Sequence, residues 1–434
     1  MDPANDTNDE SGCGPINAVL GAPAALFGRA QRAIRDVEKS LAGHTATRAL
    51  VAVPRTAKFM GATRVRSGRD DVPGLPVPSL SPALAGQVAI DETILAVAMG
   101  PNRFPRRSDY ERVATELADA RALYEAQGWL DDPASYHPRP PDLDAPAIAK
   151  GWALGQRYER LSFPSRWQPH PDEPGRDRWE SYEANHTAVV NVLRHPGEPR
   201  PWVVATHGFA CGYAFMDFVG LHALHLHRDL GLNVALPVLP LHGPRKINRF
   251  SGEEFLSFDL VNTVHGLAQA VWDIRQLLSW VRAQGDPAIA LYGVSLGGYV
   301  TSLLSGLEDG IDCAVAGIPV VDFPAMFRHQ SPLHIRLRAV EHEILDGNAE
   351  IVHRVISPLA IEPRVPHDRR FIFAGLGDRM APPTQAHALW HHWQEPEIYW
   401  YGGNHVGYLW SRQVTSFIDQ SLISAGLVTA DATP

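Results

Sequence analysis

The sequence predicts an α/β chain, with a mostly parallel sheet covered by helices on both faces and a helical extension ahead of it. Three observations carry this. After His207, short apolar strand-like runs alternate with longer helix-period runs, the pattern of strand-helix-strand units that pair in parallel. The chain also changes character near Asp177: before it the sequence is rich in Ala, Arg and Pro with few strand-like runs, and after it β-rich segments with short turns appear. Finally, "IALYGVSLGGYV" at 289–300 runs from an apolar strand through a glycine-rich turn into a helix.

In chain order, "FGRAQRAIRDVEKSLAG" (27–43) and "SDYERVATELADARALYEAQGWL" (108–130) read as amphipathic helices. Ser108 is placed to cap the second, with Glu111 three residues on. The proline-rich stretch between Asp131 and Asp177 reads as irregular chain or linker, closing an extension over 1–176. A catalytic domain is expected over 177–425, followed by a tail at 426–434. Within that domain, helices at 213–228, 258–282 and 296–307 lead into strands at 233–236, 288–292 and 314–320, and further strands fall at 370–374 and 398–401. At 434 residues the chain has ample length for a large core plus an extension.

Composition narrows the function. With 45% hydrophobic and 20% charged residues and a net charge of -9, the chain reads as globular and carries no basic block to attract nucleic acid. Three scattered cysteines, Cys13, Cys211 and Cys313, form neither a disulfide framework nor a zinc ribbon. The N-terminus "MDPANDTNDESGCG" is acidic and polar, and no apolar run reaches the roughly 18 residues of a membrane span. A cytoplasmic location without stable membrane insertion is therefore expected. Packing on the core is the default for the N-terminal helices, with homo-oligomerisation second.

The Gly-x-Ser-x-Gly at 293–297 suits a nucleophile. A serine on a sharp strand-to-helix turn needs small neighbours two residues before and after it, here Gly293 and Gly297. Its hydroxyl attacks at neutral pH only with a base, which a third group must orient. In this chemistry the partners follow in the order serine, acid, histidine. Asp378 lies just beyond the strand of "RRFIFAGLGDRMAPP", and His405 lies beyond the next strand in "EIYWYGGNHVGYLW". Both stand at carboxyl ends of strands, where functional groups gather in open α/β sheets. Asp322, in "PVVDFP", is the reserve acid. The oxyanion requires two backbone N–H donors; Leu296 supplies one and Phe209 the other, in a loop shaped by His207 and Gly208.

These segments resemble the α/β-hydrolase superfamily: "HGF" at 207–209, "GVSLG" at 293–297, "GLGDRMAP" at 375–382 and "GGNH" at 402–405, in order. The likeness covers about 178–425. It implies a serine hydrolase with Ser295, Asp378 and His405 as triad and no metal or organic cofactor, acting on a small-molecule carboxylic ester or thioester. The loop "PVLPLHGPR" (237–245) is similar to one in esterases and dienelactone-hydrolase-like members. Dienelactone hydrolases, however, have a cysteine nucleophile and lack the long first half, and the triple-glycine loop of hormone-sensitive lipases is absent. An acyltransferase with the same triad, a peptidase or amidase, and a non-catalytic binding protein are the rival readings.

The long segment 323–369 is expected to form a helical cap over the serine, with Phe323, Met326, Phe327, Leu333 and Ile335 lining an acyl pocket or packing as ordinary helices. His222, His225 and His227 cannot all share one helix face, which argues against a metal site. Cys211 lacks an elbow and reads as a buried small hydrophobe.

Overall fold

The computed structural model describes residues 45–66, 72–98 and 105–429. The helix expected at 27–43, Cys13 and residues 430–434 lie outside them. Nine strands form one sheet in the order β1-β2-β3-β5-β4-β6-β7-β8-β9. From Asn233–Val238 (β5) through Trp202–Thr206 (β4), Ile289–Val294 (β6), Cys313–Gly317 (β7), Arg370–Gly375 (β8) and Glu397–Tyr401 (β9), every neighbouring pair is parallel. Ala147–Ala153 (β1), Gln156–Pro164 (β2) and Thr187–Leu193 (β3) add an antiparallel edge. Every residue of β4 to β8 is buried, as expected where helices cover both faces of a parallel sheet. In β6, Ile289 and Leu291 join one apolar cluster while Ala290, Tyr292 and Val294 join the other, so alternate side chains feed two cores. This is the α/β-hydrolase fold.

Eleven helices of six residues or more are labelled in chain order. They are α1 (Thr45–Arg66), α2 (Pro82–Ala98), α3 (Arg107–Gln127), α4 (Ala214–Gly220), α5 (Ala223–Arg228), α6 (Leu260–Arg282), α7 (Leu296–Leu307), α8 (Phe323–Gln330), α9 (Leu333–Glu341), α10 (Pro383–His392) and α11 (Arg412–Ser424). Tyr110, Val113, Leu117, Ala120 and Tyr124 form the buried stripe of α3, at the alternating three- and four-residue steps of an amphipathic helix. That stripe joins the larger core cluster. No helix among the described residues is long and apolar enough to cross a membrane.

Four expectations are corrected. The segment read as linker before Asp177 contains β1 and β2, so the sheet begins at Ala147. Leu154 and Gly155 join these strands, both at positive φ, the backbone of a tight hairpin turn; as an edge strand, β1 is largely exposed and lacks an apolar run. Ser108 does not cap α3: the helix begins one residue earlier, and the Asp109 carboxylate accepts the Arg106 N–H at 2.6 Å. The helix expected at 213–228 is broken where His222 takes φ 49°. Leu427 and Val428 are buried in the second cluster, so the supposed tail closes the core as far as it is described.

Candidate active site

In the sheet, β4 has β5 on one side and β6 on the other. The chain thus reverses direction across the sheet between β4 and β6, and the crevice at their carboxyl ends is where an open α/β sheet gathers ligand-binding loops. The loop with His207, Gly208 and Phe209 follows β4, and Ser295 follows β6.

Ser295 sits between β6 and α7 at φ 57°, ψ -115°, a backbone region that a residue with a side chain occupies only when its surroundings enforce it. Here they do. Its N–H donates to Gly317 O at 2.9 Å and its carbonyl accepts from Tyr299 N at 3.0 Å. A Cβ on Gly293 would stand 2.1 Å from Gly297 O, and a Cβ on Gly297 would stand 1.9 Å from Thr206 O. Only glycine at both positions lets α7 start this close to the end of β4. A Cβ on Gly208 would lie 3.5 Å from the Ser295 Cβ, which brings the β4 loop against the elbow.

His207 shapes that loop. Its Nε2 accepts the Leu239 N–H at 3.1 Å, so the proton is on Nδ1, which donates to Gly208 O at 2.8 Å. The His242 ring packs against the rings of both His207 and Phe209. The Phe209 N–H has no partner among the described backbone contacts, and the Leu296 N–H opens α7 without an intrahelical acceptor.

Across β8 and β9 the second half of the site assembles. Asp378 is buried, with Oδ1 accepting the N–H groups of Met380 and Ala381 at 2.8 Å each. Its Oδ2 accepts the Nδ1–H of His405 at 2.6 Å. Burial opposes a charged imidazole, but the Asp378 carboxylate outweighs it and the His405 pKa is raised above its ordinary value. Nε2 of His405 makes no hydrogen bond among the described residues. Neither does the Ser295 hydroxyl, so the serine-histidine bond is not formed in this structure. Such bonds commonly tighten only with substrate in place.

A third contributor comes from outside the motifs. Asp91 and Glu92, on the otherwise largely apolar α2, are buried against the loops of Asp378 and His405. An acidic pair in such a helix was the available signal in the sequence, because carboxylates are seldom buried without partners.

The remaining candidates fall elsewhere. Asp322 caps α8, accepting the Ala325 N–H at 2.9 Å. His225 pairs with Asp229 and Asp419, His227 donates to Leu232 O, and His222 breaks the helix. Cys211 is half-buried rather than buried, and burial pushes its thiol up to about 12, leaving no thiolate at neutral pH. The segment 323–369 is helical over 323–330, 333–341 and 344–356 and runs without helix from 357 to 366. Phe323 stacks on Tyr299 with ring centroids 4.7 Å apart, and both Phe323 and Ile335 are buried. Phe323 belongs to the larger core cluster, and Met326 and Phe327 are partly buried against it. The segment also reaches the acid loop, where Gln330 Nε2 donates to Arg379 O at 2.5 Å.

No protein-family model matches the chain. It is 41% identical over 367 residues to the uncharacterized protein Rv2627c of Mycobacterium tuberculosis (strain ATCC 25618 / H37Rv), and likewise to the uncharacterized protein MT2702 of strain CDC 1551 / Oshkosh, each match covering 83% of this chain and 86% of the relative. Among solved structures it is similar to acetyl xylan esterase 1 from Thermoanaerobacterium sp., with 14% identity, TM-score 0.45, and coverage of 68% of this chain and 98% of that one. It is also similar to the acylaminoacyl peptidase of Pyrococcus horikoshii, with 16% identity, TM-score 0.41, and coverage of 66% of this chain but only 42% of that one. At this level of likeness neither structure bears on activity.

Proposed function

The chain belongs to the family of the uncharacterized Mycobacterium tuberculosis protein Rv2627c and has the α/β-hydrolase fold, and from that premise we propose that it is a serine hydrolase cleaving a carboxylic ester or thioester. The observation that carries this reading is the buried Asp378-His405 hydrogen bond paired with a serine held at positive φ on a strand-to-helix elbow.

In the proposed reaction His405 Nε2 takes the Ser295 proton as Oγ attacks the substrate carbonyl. Asp378 keeps the other ring proton on Nδ1, which leaves Nε2 basic, and stabilises the imidazolium that forms. The Phe209 and Leu296 N–H groups receive the developing oxyanion. His405 then returns its proton to the leaving alcohol or thiol as the acyl-Ser295 ester forms. Water, deprotonated by the same nitrogen, attacks that ester, the acid leaves, and Ser295 regains its proton.

The test is labelling with a fluorophosphonate, which reacts covalently with an activated serine, followed by turnover of p-nitrophenyl esters of increasing acyl length. Wild-type protein is expected to be labelled and Ser295→Ala to show no labelling at all. A folded wild type that resists the probe and turns over no ester would overturn the reading. The pH dependence follows from the imidazole: it must be neutral to act as base, so kcat/KM is lost as pH falls through the raised His405 pKa. The acid limb is therefore expected above the ordinary histidine value of about 6.5, and a midpoint below it in a pH-rate profile would contradict the Asp378-His405 assignment.

A further inference from the structure

We propose that Asp91 is a positioning residue for the catalytic histidine, supplied by the N-terminal extension, which ties the acid loop to the histidine loop and places a second carboxylate behind the imidazole. This rests on the serine-hydrolase reading for its consequence in catalysis. Asp91 Oδ2 accepts two backbone N–H groups, from Arg379 at 3.0 Å and from His405 itself at 2.9 Å, while Oδ1 accepts Asn404 Nδ2 at 2.8 Å. Arg379 immediately follows the triad acid, so one fully buried carboxylate spans both loops. The neighbouring Glu92 holds the Arg379 side chain at 2.9 Å and meets Arg55 of α1 at 3.5 Å, and the Arg379 guanidinium also stacks on Phe59 of α1. Helices α1 and α2 thus clamp the loop that carries Asp378.

The charges facing Asp91 are known from each side. Asp378 and His405 act on it from the two loops, Tyr401 lies within its field from β9, Glu92 adjoins it on α2, and Arg379, Arg55 and His329 surround Glu92. Burial first, and Asp378 second, push the Asp91 carboxyl up to about 6. Its ionised form favours protonated His405.

The experiment is a histidine titration of the full chain, labelled at histidine Cε1 with carbon-13 and assigned with His405→Gln. Asp91→Asn keeps an oxygen for the two backbone donors, and a rotated Asn404 amide can meet the new NH₂. With the charge removed, the His405 pKa is expected to fall by about one unit. Asp91→Glu keeps the charge and is expected to keep the wild-type titration while losing turnover through misplacement of the loops. An unchanged His405 pKa in Asp91→Asn, or an equal fall in Asp91→Glu, would overturn the proposal. These readouts need no turnover. If the fluorophosphonate fails to label wild-type protein, the hydrolase reading fails while the titration still decides the role of Asp91; if labelling succeeds, the acid limb of kcat/KM should move down with the His405 pKa in Asp91→Asn.

Discussion

His405→Ala is expected to lower ester turnover by about a million-fold, and adding Ser295→Ala to it is expected to cost almost nothing further, because nucleophile and base act as one unit. The structure provides the reason for the size of the effect. Nδ1 is committed to Asp378 in a bond of 2.6 Å, so Nε2 is the one ring nitrogen left to take the serine proton. His207 cannot replace it: it donates its only ring proton to Gly208 O and has its other nitrogen occupied by the Leu239 N–H. Asp378→Asn should cost less, on the order of 10⁴-fold, since the imidazole stays but its tautomer is no longer held. The rate remaining in the double variant, some 10³-fold above water, would come from substrate binding and the Phe209 and Leu296 donors. Steady-state kinetics on the best p-nitrophenyl ester checks all of this, and losses that multiply between His405→Ala and Ser295→Ala would show that the two do not share a step.

What was legible in the sequence follows the range of the forces involved. The parallel strands β4 to β8 could be read because each is an apolar run buried on both faces, and the elbow because close packing of α7 on β4 demands glycine at fixed spacings around Ser295. Asp378 and His405 could be found because strand ends point to them, and the structure joins them by a hydrogen bond. The hairpin of β1 and β2 was missed for the opposite reason. An edge strand such as "AIAKGWA" has no buried face to leave a pattern. Asp91 was missed because its bonds to Asn404 and His405 span more than three hundred positions of chain; an acidic pair in an apolar helix signals a buried carboxylate but not which loop it meets. The segment 323–369 was recognisable as helical over most of its length, yet the side chains of Phe323 and Ile335 are buried; apolar residues in amphipathic helices do not say which neighbour they will cover.

Gly297→Ala is expected to abolish the folded site, whereas Gly402→Ala, in the histidine loop, should be tolerated. A methyl at 297 would sit 1.9 Å from Thr206 O, 2.6 Å from Thr206 C and 2.9 Å from His207 O. All three are backbone atoms at the end of β4, which pairs with β5 on one side and β6 on the other, so no side-chain rotamer can relieve the overlap. Either α7 lifts from the sheet or β4 shifts, and overpacking of an interior that can adjust already costs about 1 to 3 kcal/mol. With backbone on both sides the cost should exceed that range, a large share of the roughly 5 to 15 kcal/mol that holds a domain folded. A Cβ on Gly402 meets nothing within 4 Å, so its alanine variant controls for the loss of a glycine near the site. Thermal denaturation should show Gly297→Ala strongly destabilised or insoluble and Gly402→Ala close to wild type. If a Gly297→Ala protein folds, displacement of Thr206 and His207 would carry the Phe209 N–H out of line with Leu296, and fluorophosphonate labelling of Ser295 should fall even though the triad is intact. A stable and fully reactive Gly297→Ala protein would mean that α7 does not pack on β4 as closely as the elbow requires.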